Sequence, residues 1–216
     1  MLYIVATPIG NLEDITLRAL RILKEAGVIL CEDTRVTAKL LARYEIEKKK
    51  LIAYHHHSDE RRIKEIVELV KNNNVALVTD AGTPGISDPG NILISKIQDT
   101  ATPIPGACAL IAALSVSGLP TDKFIFKGFV PHKKGRETFF KEVAAAEETV
   151  VFYESCHRIE KTLTALKGSE KKLVVCRELT KKFETIYRGS AEEVLGEIKT
   201  EFREGTPKGE FVVVIN

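Results

Sequence analysis

The chain has 216 residues, of which 44% are hydrophobic, 29% charged and 6% aromatic, and its 32 Lys plus Arg nearly balance its 30 Asp plus Glu. That length supplies one large domain or two small ones with packed cores, and the composition excludes intrinsic disorder. A net charge of +2 points by itself to neither nucleic acid nor an acidic substrate.

The longest stretch without a charge, 100–121, is broken by Pro103, Pro105, Gly106, Gly118 and Pro120. It falls short of the ~20 unbroken apolar residues of a bilayer span, so no membrane partner is expected. The start, Met-Leu-Tyr-Ile-Val-Ala-Thr-Pro, has no basic n-region and predicts no export and a cytoplasmic protein. Cys31, Cys108, Cys156 and Cys176 are too widely spaced for paired zinc ligands or a disulfide scaffold, and read as packing or loop residues.

In chain order, apolar runs at 2–6, 28–31, 51–53 and 75–78 read as strands, and helical periodicity marks 15–25 and 60–71. Asp14 looks like the first helix's cap, Ser58 or Asp59 the second's, and Asn72-Asn73-Asn74 its end. Helices follow around 91–97 and at 107–116. Past a Gly/Pro break at Gly118-Leu119-Pro120-Thr121, strands are predicted at 124–126, 150–153, 173–176 and 211–215, with helices at 158–166 and 191–202. This alternation predicts an α/β fold. The break divides it into two α/β domains, 1–118 and 119–216.

Three loops stand at strand ends and open helices: Thr7-Pro8-Ile9-Gly10-Asn11-Leu12, the glycine-rich 79–90, and Pro103-Ile104-Pro105-Gly106-Ala107-Cys108-Ala109. Doubly wound topology would gather them at one sheet edge, where such folds bind ligands. The 79–90 loop is neither G-x-G-x-x-G nor a Walker loop, so no dinucleotide or triphosphate cradle is predicted. Glu32-Asp33-Thr34-Arg35 follows the strand 28–31; it reads as a functional cluster or as a helix start capped by Asp33 or Thr34, with Arg35 paired locally. Consecutive side chains in His55-His56-His57 point apart, which argues against one metal, and none is expected.

Thr7-Pro8-Ile9-Gly10-Asn11-Leu12, Glu32-Asp33-Thr34-Arg35, Asp80-Ala81-Gly82-Thr83-Pro84 with Ser87-Asp88-Pro89-Gly90, Pro105-Gly106-Ala107, Ser117-Gly118-Leu119-Pro120, Phe152-Tyr153-Glu154-Ser155 and Arg177-Glu178-Leu179-Thr180-Lys181 occur in that order. Over nearly its whole length the chain resembles the ribosomal-RNA-modifying members of the tetrapyrrole methylase superfamily. The resemblance implies two α/β domains with the cofactor cleft between them, a homodimer, and S-adenosylmethionine-dependent methylation of a cytidine ribose 2′-hydroxyl in small-subunit ribosomal RNA, free or in the assembled subunit. By matching motifs, Pro8, Gly82, Thr83, Ser87, Ala107, Cys108, Tyr153, Glu178 and Gly209 would surround the cofactor, with Asp80 of the same glycine-rich loop. Cys108 and Cys156 stand where relatives usually carry Ser and Pro, and many relatives continue past the equivalent of Gly209-Glu210-Phe211.

Methyl transfer from a sulfonium is an in-line displacement that needs positioning, no metal, and a way to remove the hydroxyl proton. Glu32, Asp33, Asp80 and Asp88, at strand ends, are the candidate bases; Glu32 is favoured because it directly ends a strand, and Arg35 would give electrostatic support. For an RNA substrate the basic segments 123–136 and 167–188 matter, with Lys123, Lys127, Lys133, Lys134, Arg136, Lys181, Lys182 and Arg188 as phosphate contacts. The alternative is a solvated face. His132 and Phe129, beside Pro131, are candidates to stack on a base, against burial of Phe129. Two rival readings are a small-molecule, tetrapyrrole-type methyltransferase and a non-catalytic cofactor- or RNA-binding module. The first loop argues against the former, since it lacks the Gly-x-Gly-Pro-Gly-Asp form of those relatives.

Overall fold

The computed structural model describes residues 1–55, 58–97, 100–203 and 205–216, so His56 and His57 of the histidine triplet lie outside the described residues. The chain divides into two compact units, Met1–Cys108 and Ala109–Asn216.

In the first unit the apolar runs become β1 (Leu2–Val5), β2 (Val28–Cys31), β3 (Lys50–Ala53) and β4 (Val75–Leu77), joined by β5 (Ala101–Ile104). All pair in parallel in the order β3-β2-β4-β1-β5. Parallel strands need crossovers, and helices on both sheet faces provide them. Helices α1 (Leu17–Glu25) and α2 (Thr34–Arg43) bury Ile22, Leu23 and Leu41 on one face, against Val5, Ile29 and Val78. On the other, α3 (Glu60–Asn72) and α4 (Asn91–Lys96) bury Ile66, Val70 and Leu93 against Leu2, Leu30 and Leu77.

The cap of α1 is Thr16, whose hydroxyl accepts from the Ala19 amide at 3.0 Å; Asp14, the expected cap, lies in a preceding 3-10 turn, Leu12–Asp14. Asp59 caps α3 through the Arg62 amide at 2.8 Å. Strand β5 escapes sequence reading because it contains Pro103. At a sheet edge the missing N–H costs nothing, and β5 is an edge strand.

The second unit holds β6 (Phe124–Phe129), β7 (Thr149–Ser155), β8 (Leu173–Arg177), β9 (Thr185–Gly189) and β10 (Glu210–Ile215) in the order β6-β7-β10-β8-β9. Only β6 and β7 are parallel; the other neighbours are antiparallel. One face packs Phe152, Val175, Phe211 and Val213 beneath α6 (Arg136–Ala145), α7 (Ile159–Ala165) and α8 (Ala191–Phe202). Helix α5 (Ala109–Ser117) lies against β7 and β10. That packing places the division at Cys108/Ala109 rather than at the 118–121 break. The break is itself tied to β7, since the buried Thr149 hydroxyl donates to Pro120 O at 2.5 Å. Among the described residues no helix is long and apolar enough to cross a membrane.

Candidate functional site

In the first unit every strand points the same way, so the segments following β1, β2, β4 and β5 emerge at one sheet edge. From the neighbouring strands β1 and β4 the chain leaves toward opposite faces, by α1 and α4 respectively, which opens a crevice between their ends. Backbone pairing pins the two loops across it. The Thr7 amide donates to Gly82 O at 2.8 Å, the Gly82 amide donates back to Thr7 O at 3.1 Å, and the buried Thr7 hydroxyl donates to Thr79 O at 3.1 Å.

The third loop joins them. Thr83 Oγ1 donates to Ala107 O at 3.0 Å and the Ala6 amide to Ile104 O at 3.3 Å. Gly106 passes so close that a Cβ there would lie 2.9 Å from that of Ala6. Pro8 and Gly82 are buried, so Gly82 acts through its backbone. Thr83, Ala107 and Cys108 are half-buried and Ser87 is exposed. The 79–90 loop is compact: Asn91 Nδ2 donates to Gly85 O at 3.1 Å, and Ser87 holds a left-handed φ of 62°. A non-glycine residue held there is strained, and such strain clusters at functional sites.

The acidic residues separate into two groups. Asp33 caps α2 through the Arg35 amide at 2.8 Å, and Arg35 Nη2 lies 2.6 Å from its Oδ2. Those hydrogen bonds from Arg35 hold the Asp33 carboxyl down to about 2, while the Arg35 side chain is 85% exposed. The local pairing reading therefore describes these two residues. Asp80 Oδ1 accepts from the Asp33 amide at 3.0 Å and joins the β2 and β4 ends. Asp88 is half-buried; burial first, then the charges of Glu32 and Asp80, push its carboxyl up to about 6 despite a hydrogen bond with Thr79. The structure thus brings Glu32, Asp80 and Asp88 into one electrostatic neighbourhood.

In the second unit, Glu178 and Thr180 both have left-handed φ, 51° and 65°. Glu178 Oε1 accepts from the Glu210 amide at 3.0 Å and from Lys181 Nζ at 2.9 Å. Burial raises the Glu178 carboxyl, but these hydrogen bonds outweigh it and the net shift is downward. Gly209, with φ 104°, packs against the Glu178 side chain so closely that any Cβ would collide with it. Tyr153 stacks edge-on with Phe126 and Phe129 at centroid distances of 5.1 and 5.3 Å.

Several candidate phosphate contacts already have protein partners. Lys127 is paired with Glu142 and Lys181 with Glu178 and Glu210, while Arg188 Nη2 donates to Val116 O at 2.7 Å. Arg136 is bound into a buried knot with Glu154 and Arg158. There the fully buried Glu154 carboxylate lies 2.8 Å from Arg158 and 3.7 Å from Arg136, and accepts from Thr162 Oγ1 at 2.5 Å. The arginines in turn donate to Val130 O at 2.7 Å and Pro131 O at 3.4 Å, fixing the start of the loop that follows β6. Lys123, Lys133, Lys134 and Lys182 are exposed, with Lys182 over the Phe183 ring.

Residues 1–195 match the family of Tetrapyrrole (Corrin/Porphyrin) Methylases. Proteins named ribosomal RNA small subunit methyltransferase I are 46% identical in Synechocystis sp., over 100% of this chain and 78% of that protein, and 46% identical in Hydrogenobaculum sp., over 100% and 95%. The protein of that name in Escherichia coli O157:H7 is 43% identical over 99% and 77%. Among solved structures, diphthine synthase superposes with a TM-score of 0.72 at 16% identity, covering 99% of this chain and 89% of that one. A cobalt precorrin-4 methyltransferase superposes with 0.68 at 18%, covering 99% and 93%. These two likenesses show the fold; with the family match and the relatives they establish that this chain belongs to the tetrapyrrole methylase family.

Proposed function

We propose that this chain transfers a methyl group from S-adenosylmethionine to a cytidine ribose 2′-hydroxyl of small-subunit ribosomal RNA. The observation that carries this reading is 43–46% identity, over essentially the whole chain, to proteins named for small-subunit ribosomal RNA methylation. The cofactor of the family supplies an electrophilic methyl group on a sulfonium centre.

The first unit's edge suits such a molecule. Exposed Pro105 and Gly106 leave backbone open to a ligand, Ile86 offers apolar surface at 40% exposure, and Glu32, Asp80 and Asp88 complement a cationic sulfonium and ammonium. Pro8, Asp80, Gly82, Thr83, Ser87, Ala107 and Cys108 are the residues proposed to hold it there. On the second unit, Tyr153, Glu178 and Gly209 remain cofactor candidates, supported by the strained 178–180 turn.

A ribose hydroxyl must lose its proton as the new bond forms. Asp33 is too weak a base with its carboxyl near 2, and its hydrogen bonds are committed to Arg35. Asp88, at about 6, is ionised at neutral pH yet basic enough to accept the proton, and is proposed as the general base. Burial, and after it the charge of Glu32, keeps that carboxyl basic, and Asp80 orders the loop through the Asp33 amide. Arg35 then has no part in the step.

Incubation with radiolabelled S-adenosylmethionine and small ribosomal subunits lacking the modification tests the reading. It predicts label in RNA, at a ribose that resists alkaline cleavage, and a parallel arm with naked RNA identifies the form accepted. Label only in a tetrapyrrole precursor, or cofactor binding without transfer, overturns it. A homodimer acting in the cytoplasm completes the proposal on the family resemblance, with sedimentation as its check.

A further inference from the structure

Strand alternation in β6 places Phe124 and Phe126 on one sheet face and Phe129 on the other. The structure departs from this. Phe126 pairs with Val151 but Phe129 with Tyr153, so three steps along β6 match two along β7, and Gly128 supplies a left-handed φ of 65°. A β-bulge of this kind re-aims a side chain. Here it turns Phe129 onto the face of Phe126 and Tyr153, away from the core that receives the next residue, Val130. Yet Phe129 is not buried by the change: it remains 56% exposed.

The chain immediately beyond is basic. His132, Lys133 and Lys134 are exposed, and the loop's entry is fixed because Arg158 and Arg136, both bound to Glu154, donate to Val130 O and Pro131 O. A preorganised aromatic surface next to exposed positive charge is complementary to single-stranded nucleic acid: an aromatic ring stacks on a base while cations meet phosphates.

We propose that Phe129, presented by the β6 bulge and backed by Tyr153, is a stacking platform for an unpaired base of the RNA substrate, with Lys133 and Lys134 meeting the adjoining phosphates. This rests on the RNA-methylating function and names a residue that positions its substrate.

The test compares wild type, Phe129→Ala, Phe129→Leu and Phe129→Trp as full chains. The probes are a single-stranded oligocytidine RNA of about ten nucleotides carrying one 2-aminopurine, and small subunits lacking the modification. Loss of one stacked base predicts RNA binding about ten-fold weaker for Phe129→Ala and Phe129→Leu. KM for subunits should rise in parallel, with kcat within two-fold and cofactor affinity and melting temperature unchanged. Phe129→Trp should restore affinity to within about three-fold and quench 2-aminopurine fluorescence. The inference is overturned if Phe129→Ala binds RNA like wild type, if it loses cofactor affinity to the same extent, or if its sedimentation shifts to a smaller species, which would make Phe129 an interface residue. Wild type that leaves subunits unlabelled overturns the functional reading as well, whereas labelling by wild type and Phe129→Ala alike overturns this inference alone.

Discussion

The two units solve the problem of locating a site in different ways. In the first, five parallel strands end at one edge, so topology alone collects Thr7, Glu32, Asp80, Asp88 and Ala107 there from distant parts of the sequence. In the second, strands run both ways and their ends lie on both edges. Its candidate positions are marked by irregularity instead: the bulge at Gly128 and the left-handed Glu178 and Thr180. A parallel sheet makes a site by position, and a mixed sheet makes one by local exception. The first unit should therefore be sensitive to loss of a chemical group and the second to loss of packing.

The largest expected effect is on chemistry in the first unit. Asp88→Asn should lower kcat by about 10²–10⁴-fold with cofactor affinity retained, and the wild-type rate should rise with pH through about 6 as Asp88 ionises. Because its carboxyl is raised from 3.8 in the folded chain, ionising it costs more there than in the unfolded chain. Its contribution to stability is then greatest below pH 3.8 and lost as pH climbs through about 6. Asp88→Asn should accordingly melt no lower than wild type at pH 8, gaining about 1 kcal/mol once solvent screening is allowed for. A pH-independent rate with an active Asp88→Asn would show that position alone does not make this edge catalytic.

The next effect is structural and belongs to the second unit. Glu154→Ala leaves Arg136 and Arg158, both largely buried, without their carboxylate, and should cost about 3–5 kcal/mol in denaturant unfolding. A loss below about 1 kcal/mol would mean that solvent reaches the knot. Smaller again is the effect of charge: the double change Lys133→Ala, Lys134→Ala should flatten the salt dependence of RNA affinity by about two contacts, with kcat unchanged. An unaltered slope would return these lysines to the solvated face.

The sequence carries the strands β2 and β4 because Val28–Cys31 and Val75–Leu77 are unbroken apolar runs, and it carries the site loops because Gly and Pro cluster in them. Pro103 hides β5, since the rule against proline in sheets does not bind at an edge strand whose position only the assembled sheet reveals. Asp33 and Arg35 look catalytic or structural with equal reason in the sequence, which does not say that Asp33 rather than Thr34 accepts the capping bond. Likewise the basic residues of 123–136 read as one group, and only tertiary pairing separates Lys127 and Arg136, held by Glu142 and Glu154, from exposed Lys133 and Lys134. The bulge that re-aims Phe129 depends on register against β7, which no local pattern encodes.

The approach of Gly106 to Ala6 makes the two positions, a hundred residues apart, share a single allowance of volume. Gly106→Ala should loosen the β1 and β5 ends and weaken cofactor binding several-fold, and the same substitution made with Ala6→Gly should recover most of it, read as non-additivity in a double-mutant cycle. Tolerance at either position is then conditional on the other: a methyl group harmless in one genetic background is damaging in the next.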